Sequence, residues 1–119
     1  MLIKALKSKL HRATVTETQI DYPGSIAIDP EIMEAAGILP YEAVLIADIT
    51  NGNRCETYVV PAKAGSKDVI IMGAAARIIN TKDIVIIINF GLFTPEEMKT
   101  HKPKVVVLGE NNKIISKKG

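Results

Sequence analysis

Cysteine is nearly missing from this sequence: among 119 residues only Cys55 carries a thiol. One thiol closes no internal disulfide and cannot alone build a zinc site, so neither staple is available to stabilise the fold. An excess of charge of one sign is missing too. Lys and Arg number 15 against 13 Asp and Glu, a formal charge of +2. That is too weak to argue for nucleic acid, which wants a concentrated basic face. Long apolar runs are absent. Val69 to Ala76 falls far short of the roughly 20 residues of a spanning helix. Met1 to Leu10, interrupted by Lys4, Lys7 and Lys9, is too little apolar for a signal peptide. There is no linker, low-complexity tract or internal repeat. No GxGxxG, P-loop, HExxH or GxSxG pattern occurs.

What is present is ordinary globular composition, 47% hydrophobic and 24% charged, in a length that suits one domain over residues 1–119. A chain of this size buries roughly two-thirds of its unfolded surface. The expectation is a soluble protein of a reducing compartment, cytoplasmic, with no membrane segment. From Asn111 to Gly119 the sequence reads as a solvated end.

Strand signals dominate. Val44 to Ile49, Arg54 to Val60, Val69 to Met72, Ile84 to Phe90 and Lys104 to Leu108 are rich in Val and Ile and bounded by Gly, Pro or Asn. Arg12 to Glu17 alternates and is a further candidate. Ile84 to Ile88 is continuously apolar, which predicts cover on both faces and suggests burial at a subunit interface. Asn51-Gly52 predicts a type I′ turn joining 44 to 60 as a hairpin. Asp29-Pro30-Glu31 starts a short helix that Gly37 can stop, and Thr94-Pro95-Glu96-Glu97 starts another with the spacing of a capping box. Many short strands with two short helices suggest a compact barrel.

Four segments offer chemistry, each beside a plainer reading. In Tyr22-Pro23-Gly24-Ser25, Gly24 opens backbone angles closed to other residues, and the Ser25 hydroxyl can be held against the preceding carbonyl; an ordinary Pro-Gly turn is the plainer reading. In Lys9-Leu10-His11-Arg12, an extended backbone turns Lys9 and His11 to one face, where a solvated cationic face would do the same. A lone His is no metal site, and His101 lies far along the chain in an expected helix. In Arg54-Cys55-Glu56-Thr57-Tyr58, alternation puts Arg54 and Tyr58 on one face and Thr57 on the other. Arg and Tyr together bind a carboxylate and deliver a proton; half-exposed strand residues are the alternative. Gly73-Ala74-Ala75-Ala76 lets a ligand approach the backbone, or a neighbouring strand pack tightly.

Taken in order, Lys9-Leu10-His11-Arg12, Tyr22-x-Gly24-Ser25, Ala35-Ala36-Gly37-Ile38, Thr50-Asn51-Gly52-x-Arg54, Thr57-Tyr58, Gly73-Ala74-Ala75-Ala76 and Lys82-Asp83-Ile84-Val85-Ile86-Ile87 resemble the pyruvoyl-dependent aspartate 1-decarboxylase family. Each motif alone is weak and the ordered set is specific; it covers about residues 1 to 100. The resemblance implies a mainly β fold, a six-stranded double-psi β-barrel with two or more short helices, assembled as a homotetramer with active sites between subunits. It implies a precursor that cuts itself between Gly24 and Ser25 into chains 1–24 and 25–119, with Ser25 becoming a covalently bound pyruvoyl group and neither metal nor PLP (pyridoxal phosphate) required. It also implies a substrate, L-aspartate, that becomes β-alanine and CO2 through a Schiff base, for pantothenate and coenzyme A synthesis. A maturation partner remains open.

The resemblance also implies roles. Gly24, Ser25 and Thr57 serve processing, Thr57 by polarising the scissile carbonyl. Tyr58 is the proton donor. Lys9 and Arg54 hold substrate carboxylates, with Thr57 and the backbone of Gly73, Ala74 and Ala75 also contacting substrate. His11, Tyr22 and Met72 line the site. Three departures from the family pattern stand out: Met72 where an Asn is usual, Ala47 where a large aromatic is common, and Pro23 where many members have an acid. Two alternatives stand beside this reading. One is a non-enzymatic β-barrel regulator that binds DNA, against which the near-neutral charge and the set around Ser25 both count. The other is a poorly processed member of the same family.

Overall fold

A computed structural model of the protein describes residues 1–119. It is mainly β, with nine strands: β1 (Ile3–Thr14), β2 (Glu17–Gln19), β3 (Ser25–Ile28), β4 (Ala43–Asp48), β5 (Arg54–Pro61), β6 (Val69–Met72), β7 (Ile84–Phe93), β8 (Lys104–Leu108) and β9 (Ile114–Lys118). Their spatial order is β2-β6-β3-β5-β4-β7-β1-β8-β9. The order is open, with β2 and β9 as edges, and nine strands stand where six were expected. The two helices are α1 (Pro30–Ala36) and α2 (Pro95–Met98), and short 3-10 turns cover Gly73–Arg77 and Glu110–Asn112.

Both helices begin as local chemistry dictates. Asp29 accepts the Glu31 N–H at 2.9 Å and Pro30 occupies the first turn; Gly37, at φ +69°, caps the end. Thr94 and Glu97 exchange both bonds of a capping box. Asp29 does more than cap: its carboxylate also takes the N–H groups of Gly65 and Lys67, fastening the loop after β5 to the helix start. Burial alone would raise the Asp29 pKa, but the three backbone donors outweigh it and hold it low.

The core is one aliphatic cluster. Leu10 of β1, Ile26 and Ile28 of β3, Ile46 of β4, Ile71 of β6, Ile87 of β7 and Leu108 of β8 are all fully or almost fully enclosed. Each contributes about 1.5–3 kcal/mol by leaving water. α1 adds Ile32, Met33 and Ala36 from one face.

Several local expectations change. Arg12 does not open a strand; it sits inside β1 at φ +66°, where the pairing with β7 slips between Leu10 and Ala13. The extra residue of such a bulge turns the strand without ending it. The 44–60 hairpin forms, but not through a two-residue type I′ turn. Asp48 and Asn53 close a longer loop, and only Gly52 of the Asn51-Gly52 pair has positive φ, at +79°. Asp48 and Asn51 side chains accept the N–H groups of Thr50 and Asn53 and stabilise that wider loop. In Ile84 to Ile88 only Val85 and Ile87 are buried; the other face is half-exposed in a single chain. His101 lies beyond α2, its ring 4.2 Å from that of Phe93 and its Nε2 2.7 Å from the Leu6 carbonyl oxygen. The last segment is not wholly solvated. Asn112 is buried and bonds the backbone of Thr14 and Lys67, while β9 pairs with β8 as an exposed edge.

Candidate active site

β3 is short and flanked on both sides, parallel to β5 and antiparallel to β6. Its first residue is Ser25, placed opposite Met72 at the end of β6. The turn from Tyr22 to Gly24 delivers the chain into this slot at an unusual angle. Gly24 has φ +127° and Ser25 φ +145°. Glycine tolerates such a value; serine does not, at a cost of order 1–3 kcal/mol. The strain therefore straddles the Gly24–Ser25 peptide bond, and the pairing of Ile26 with Val59 and Ile71 holds it in place.

That bond is gripped from several directions. The Tyr58 hydroxyl donates to the Gly24 carbonyl oxygen at 3.1 Å. The Ser25 hydroxyl, 4% exposed, donates to the Met72 Sδ at 3.5 Å. Behind it lies Gly73, at φ +84°. A Cβ there would stand 2.7 Å from Gly24 Cα, 2.8 Å from the Tyr22 carbonyl oxygen and 2.9 Å from Gly24 N. Gly73 is therefore glycine for two reasons, its own backbone angle and the lack of room beside Gly24.

Two cavities open on either side. One, of about 500 Å³, is lined by Tyr22, Gly24, Ser25, Tyr58 and Met72, with Lys63 and Asp68 adding one cation and one carboxylate. The other, of about 460 Å³, is lined by Gly24, Thr57, Tyr58, Met72, Ala74 and Ala75, with Cys55 and Glu56. Thr57 and Tyr58 thus share a cavity although alternation sends them to opposite faces of β5. The cavity runs along β5 from Cys55 to Tyr58. Thr57 makes no hydrogen bond to the Gly24 carbonyl oxygen; Tyr58 occupies that position. Burial pushes the Cys55 thiol up, away from thiolate character.

The single chain brings together Tyr22, Gly24, Ser25, Thr57, Tyr58, Met72, Gly73, Ala74 and Ala75. It does not bring Lys9, His11 or Arg54, which line neither cavity. Lys9 and His11 lie on β1, separated from β3 by β5, β4 and β7. Arg54 shares β5 and its exposed face with Tyr58 but sits at the far end. The His11 Nδ1 is buried without a partner. Burial first, then the charges of Lys9 and Arg12, lower its pKa and favour the neutral ring.

Lys63, Asp68 and Cys55 were not anticipated as lining residues. Cys55 and Lys63 flank the segment that carries Tyr58, and Asp68 precedes β6, so only proximity to known motifs could have signalled them.

Comparisons with known proteins converge. The family model described as aspartate decarboxylase matches residues 1–115. The aspartate 1-decarboxylase of Caldicellulosiruptor saccharolyticus is 55% identical over 115 residues, covering 97% of this chain and 90% of that protein. That of Acetivibrio thermocellus is 53% identical, covering 98% and 92%, and that of Listeria monocytogenes 51% identical, covering 92% and 86%.

Proposed function

The chain belongs to the aspartate decarboxylase family, and we propose from the geometry around Ser25 how it acts: as a carboxy-lyase on aspartate that first makes its own cofactor. The observation that carries this reading is the strained Gly24–Ser25 bond with the Tyr58 hydroxyl on its carbonyl oxygen. The regulator alternative is not favoured by relatives named as decarboxylases at 51–55% identity.

In the precursor, the Ser25 Oγ attacks the Gly24 carbonyl carbon. A C–O bond forms, the C–N bond breaks, and the hydroxyl proton ends on the Ser25 nitrogen. Tyr58 supports this step by stabilising negative charge on the Gly24 oxygen. Loss of the Ser25 α-proton then expels Gly24 as a carboxylate, and water replaces the nitrogen as ammonia. The products are chains 1–24 and 25–119, the second beginning with a pyruvoyl group. The residues present fit that group: a buried position 25 between two cavities, with a proton donor beside it. Once formed, it supplies the electron sink that lets a carboxylate leave as CO2, the part pyridoxal plays elsewhere.

Cutting also changes what Tyr58 can do. Before it, the hydroxyl is committed to the Gly24 carbonyl oxygen; afterwards Gly24 is a free chain end and the hydroxyl faces the cavity as a proton donor. The backbone of Gly73, Ala74 and Ala75, Thr57, and the cations Lys9 and Arg54 complete the substrate site. Arg54 is suited to a bidentate grip on carboxylate. Because Lys9, His11 and Arg54 lie away from Ser25 in one chain, the reading places the complete site between copies, in a homotetramer of double-psi barrels. The orphaned His11 Nδ1 supports the same view. A cytoplasmic location is part of the reading, in keeping with the free Cys55 thiol.

The test is an intact-mass spectrum of the denatured, freshly purified protein. Two species divided between Gly24 and Ser25, the larger with a blocked N-terminus, support the reading, and Ser25→Ala is expected to remain whole. A wild-type chain that stays whole after warm incubation and still releases CO2 from aspartate would refute the Ser25 route.

A further inference from the structure

Met72 faces Ser25 across the β3–β6 pairing, and its Sδ takes the Ser25 hydroxyl at 3.5 Å. Both cavities meet at this side chain. A thioether sulfur is a weak acceptor with no proton to give, and it takes up no proton near neutral pH. Its bond to Ser25 therefore fixes the hydroxyl without activating it. The Gly24 oxygen is served from elsewhere, by Tyr58.

We propose that Met72 is a positioning residue that restrains self-cleavage by holding the Ser25 hydroxyl in a resting orientation. The proposal rests on the self-cleavage reading above and adds a rate-setting element to it. For the C–O bond to Gly24 to form, the hydroxyl proton must leave for the Ser25 nitrogen, so the O–H···S contact has to break first. Met72 gains nothing in exchange, because its sulfur neither receives the proton nor touches the Gly24 oxygen. An interaction made in the ground state and absent from the transition state raises the barrier by its own worth. For a weak hydrogen bond that corresponds to about two- to fivefold in rate.

The experiment compares cleavage rates of wild-type and Met72→Leu precursor by intact mass, from cold-purified protein warmed to a common temperature. Leu conserves volume closely enough to be tolerated at such a site. Cleavage is expected to quicken about two- to fivefold, the contact's worth in rate. A rate equal to or below wild type, in a protein with an unchanged thermal midpoint, overturns the proposal. Should Met72→Leu fold poorly, protein grown with norleucine in place of methionine carries the same test, since only the sulfur is lost. Treating wild type with hydrogen peroxide supplies the opposite change. Peroxide transfers one oxygen to sulfur and leaves water, and the sulfoxide is a stronger acceptor. Cleavage is then expected to slow, and peroxide should leave the Met72→Leu rate unaltered; slowing of both equally refutes the role of Met72. If wild type never cleaves, the Ser25 reading fails and this proposal with it. If wild type cleaves and the variants match it, only this proposal fails.

Discussion

Gly73→Ala is the substitution that asks most of the structure. The new methyl would lie 2.7–2.9 Å from three backbone atoms of Tyr22 and Gly24, against the 3.4 Å at which ordinary contact begins. None of these is the end of a flexible side chain, so backbone must move. Two costs add. A non-glycine residue at φ +84° is worth about 1–2 kcal/mol, and forcing a methyl into packed backbone another 1–3 kcal/mol. The expected loss is about 2–5 kcal/mol, or a fall in thermal midpoint of roughly 8–20 °C at this chain length. Midpoints must be compared at one protein concentration, since assembly shifts them. Gly24 must also retreat from the Tyr58 hydroxyl, which is 3.1 Å from its carbonyl oxygen, so self-cleavage should slow at least tenfold. Gly52→Ala separates the two costs: it has φ +79° with nothing within 4 Å of the added Cβ, and should lose only the first 1–2 kcal/mol. Differential scanning fluorimetry and intact mass give both readouts. A Gly73→Ala protein as stable as Gly52→Ala and cut at the wild-type rate would refute the claim that Gly73 supports the scissile bond.

Tyr58→Phe should still cut, up to about tenfold more slowly for loss of one hydrogen bond to the Gly24 oxygen. Once cut, it should release CO2 from aspartate at least about 100-fold more slowly, as expected on losing a proton donor; a cut variant with full activity removes Tyr58 from that role. Asp48 is buried, its Oδ2 has no donor, and burial first and the neighbouring Asp83 carboxyl second raise its pKa. A raised folded-state pKa gives stability that is fully present below the unfolded value and lost as pH rises through the folded one. Asp48→Asn should therefore stabilise the protein by about 1–2 kcal/mol at neutral pH, with the gain shrinking towards pH 4; urea titrations at the two pH values that show equal effects would contradict this. Asp29 has the opposite sign: its lowered pKa gives stability present above the unfolded value and lost as pH falls through the folded one. Asp29→Ala should cost about 2–4 kcal/mol at neutral pH by stranding three backbone N–H groups, and a loss below 1 kcal/mol in the same titration would count against the carboxylate as the loop's anchor.

What the sequence made legible was local. The α1 and α2 starts follow from side chains bonding N–H groups two or three residues away, so Asp29-Pro30 and Thr94-Pro95-Glu96-Glu97 announce them. The cores of β4, β5, β6 and β8 follow from their Val and Ile content. The loop after β4 misled because Asp48 and Asn51 both reach forward to backbone donors, and together they outbid the tight turn that Asn51-Gly52 favours. Arg12 misled because a bulge is set by its partner strand. At the site, the ordered set of motifs drew attention to Gly24 and Ser25, and the positive φ angles fall on those two residues. Which hydroxyl meets the Gly24 oxygen was not, because the choice between Thr57 and Tyr58 depends on how β5 lies beside β3, 34 residues apart in the bond itself. The closeness of Gly73 to Gly24 and the burial of Asp48 beside Asp83 are likewise properties of packing between distant segments.

β1 has its neighbours on both sides, β7 along nearly its whole length and β8 along its middle, while Gly24 follows ten residues after its end, beyond β2. A cut there would leave residues 1–24 as a separate molecule whose long strand is interior to the sheet. Nothing would release it, yet nothing covalent would guide it back. Before the cut, folding is a search by one chain; after it, recovery from unfolding requires two molecules to meet, and dilution alone would oppose it. Such a cut would impose an order of events: the chain would have to finish folding while still whole, and a cut molecule once fully denatured would not be rebuilt from its pieces at low concentration. For such a protein longevity is governed by the rate of opening rather than by an equilibrium between open and closed forms.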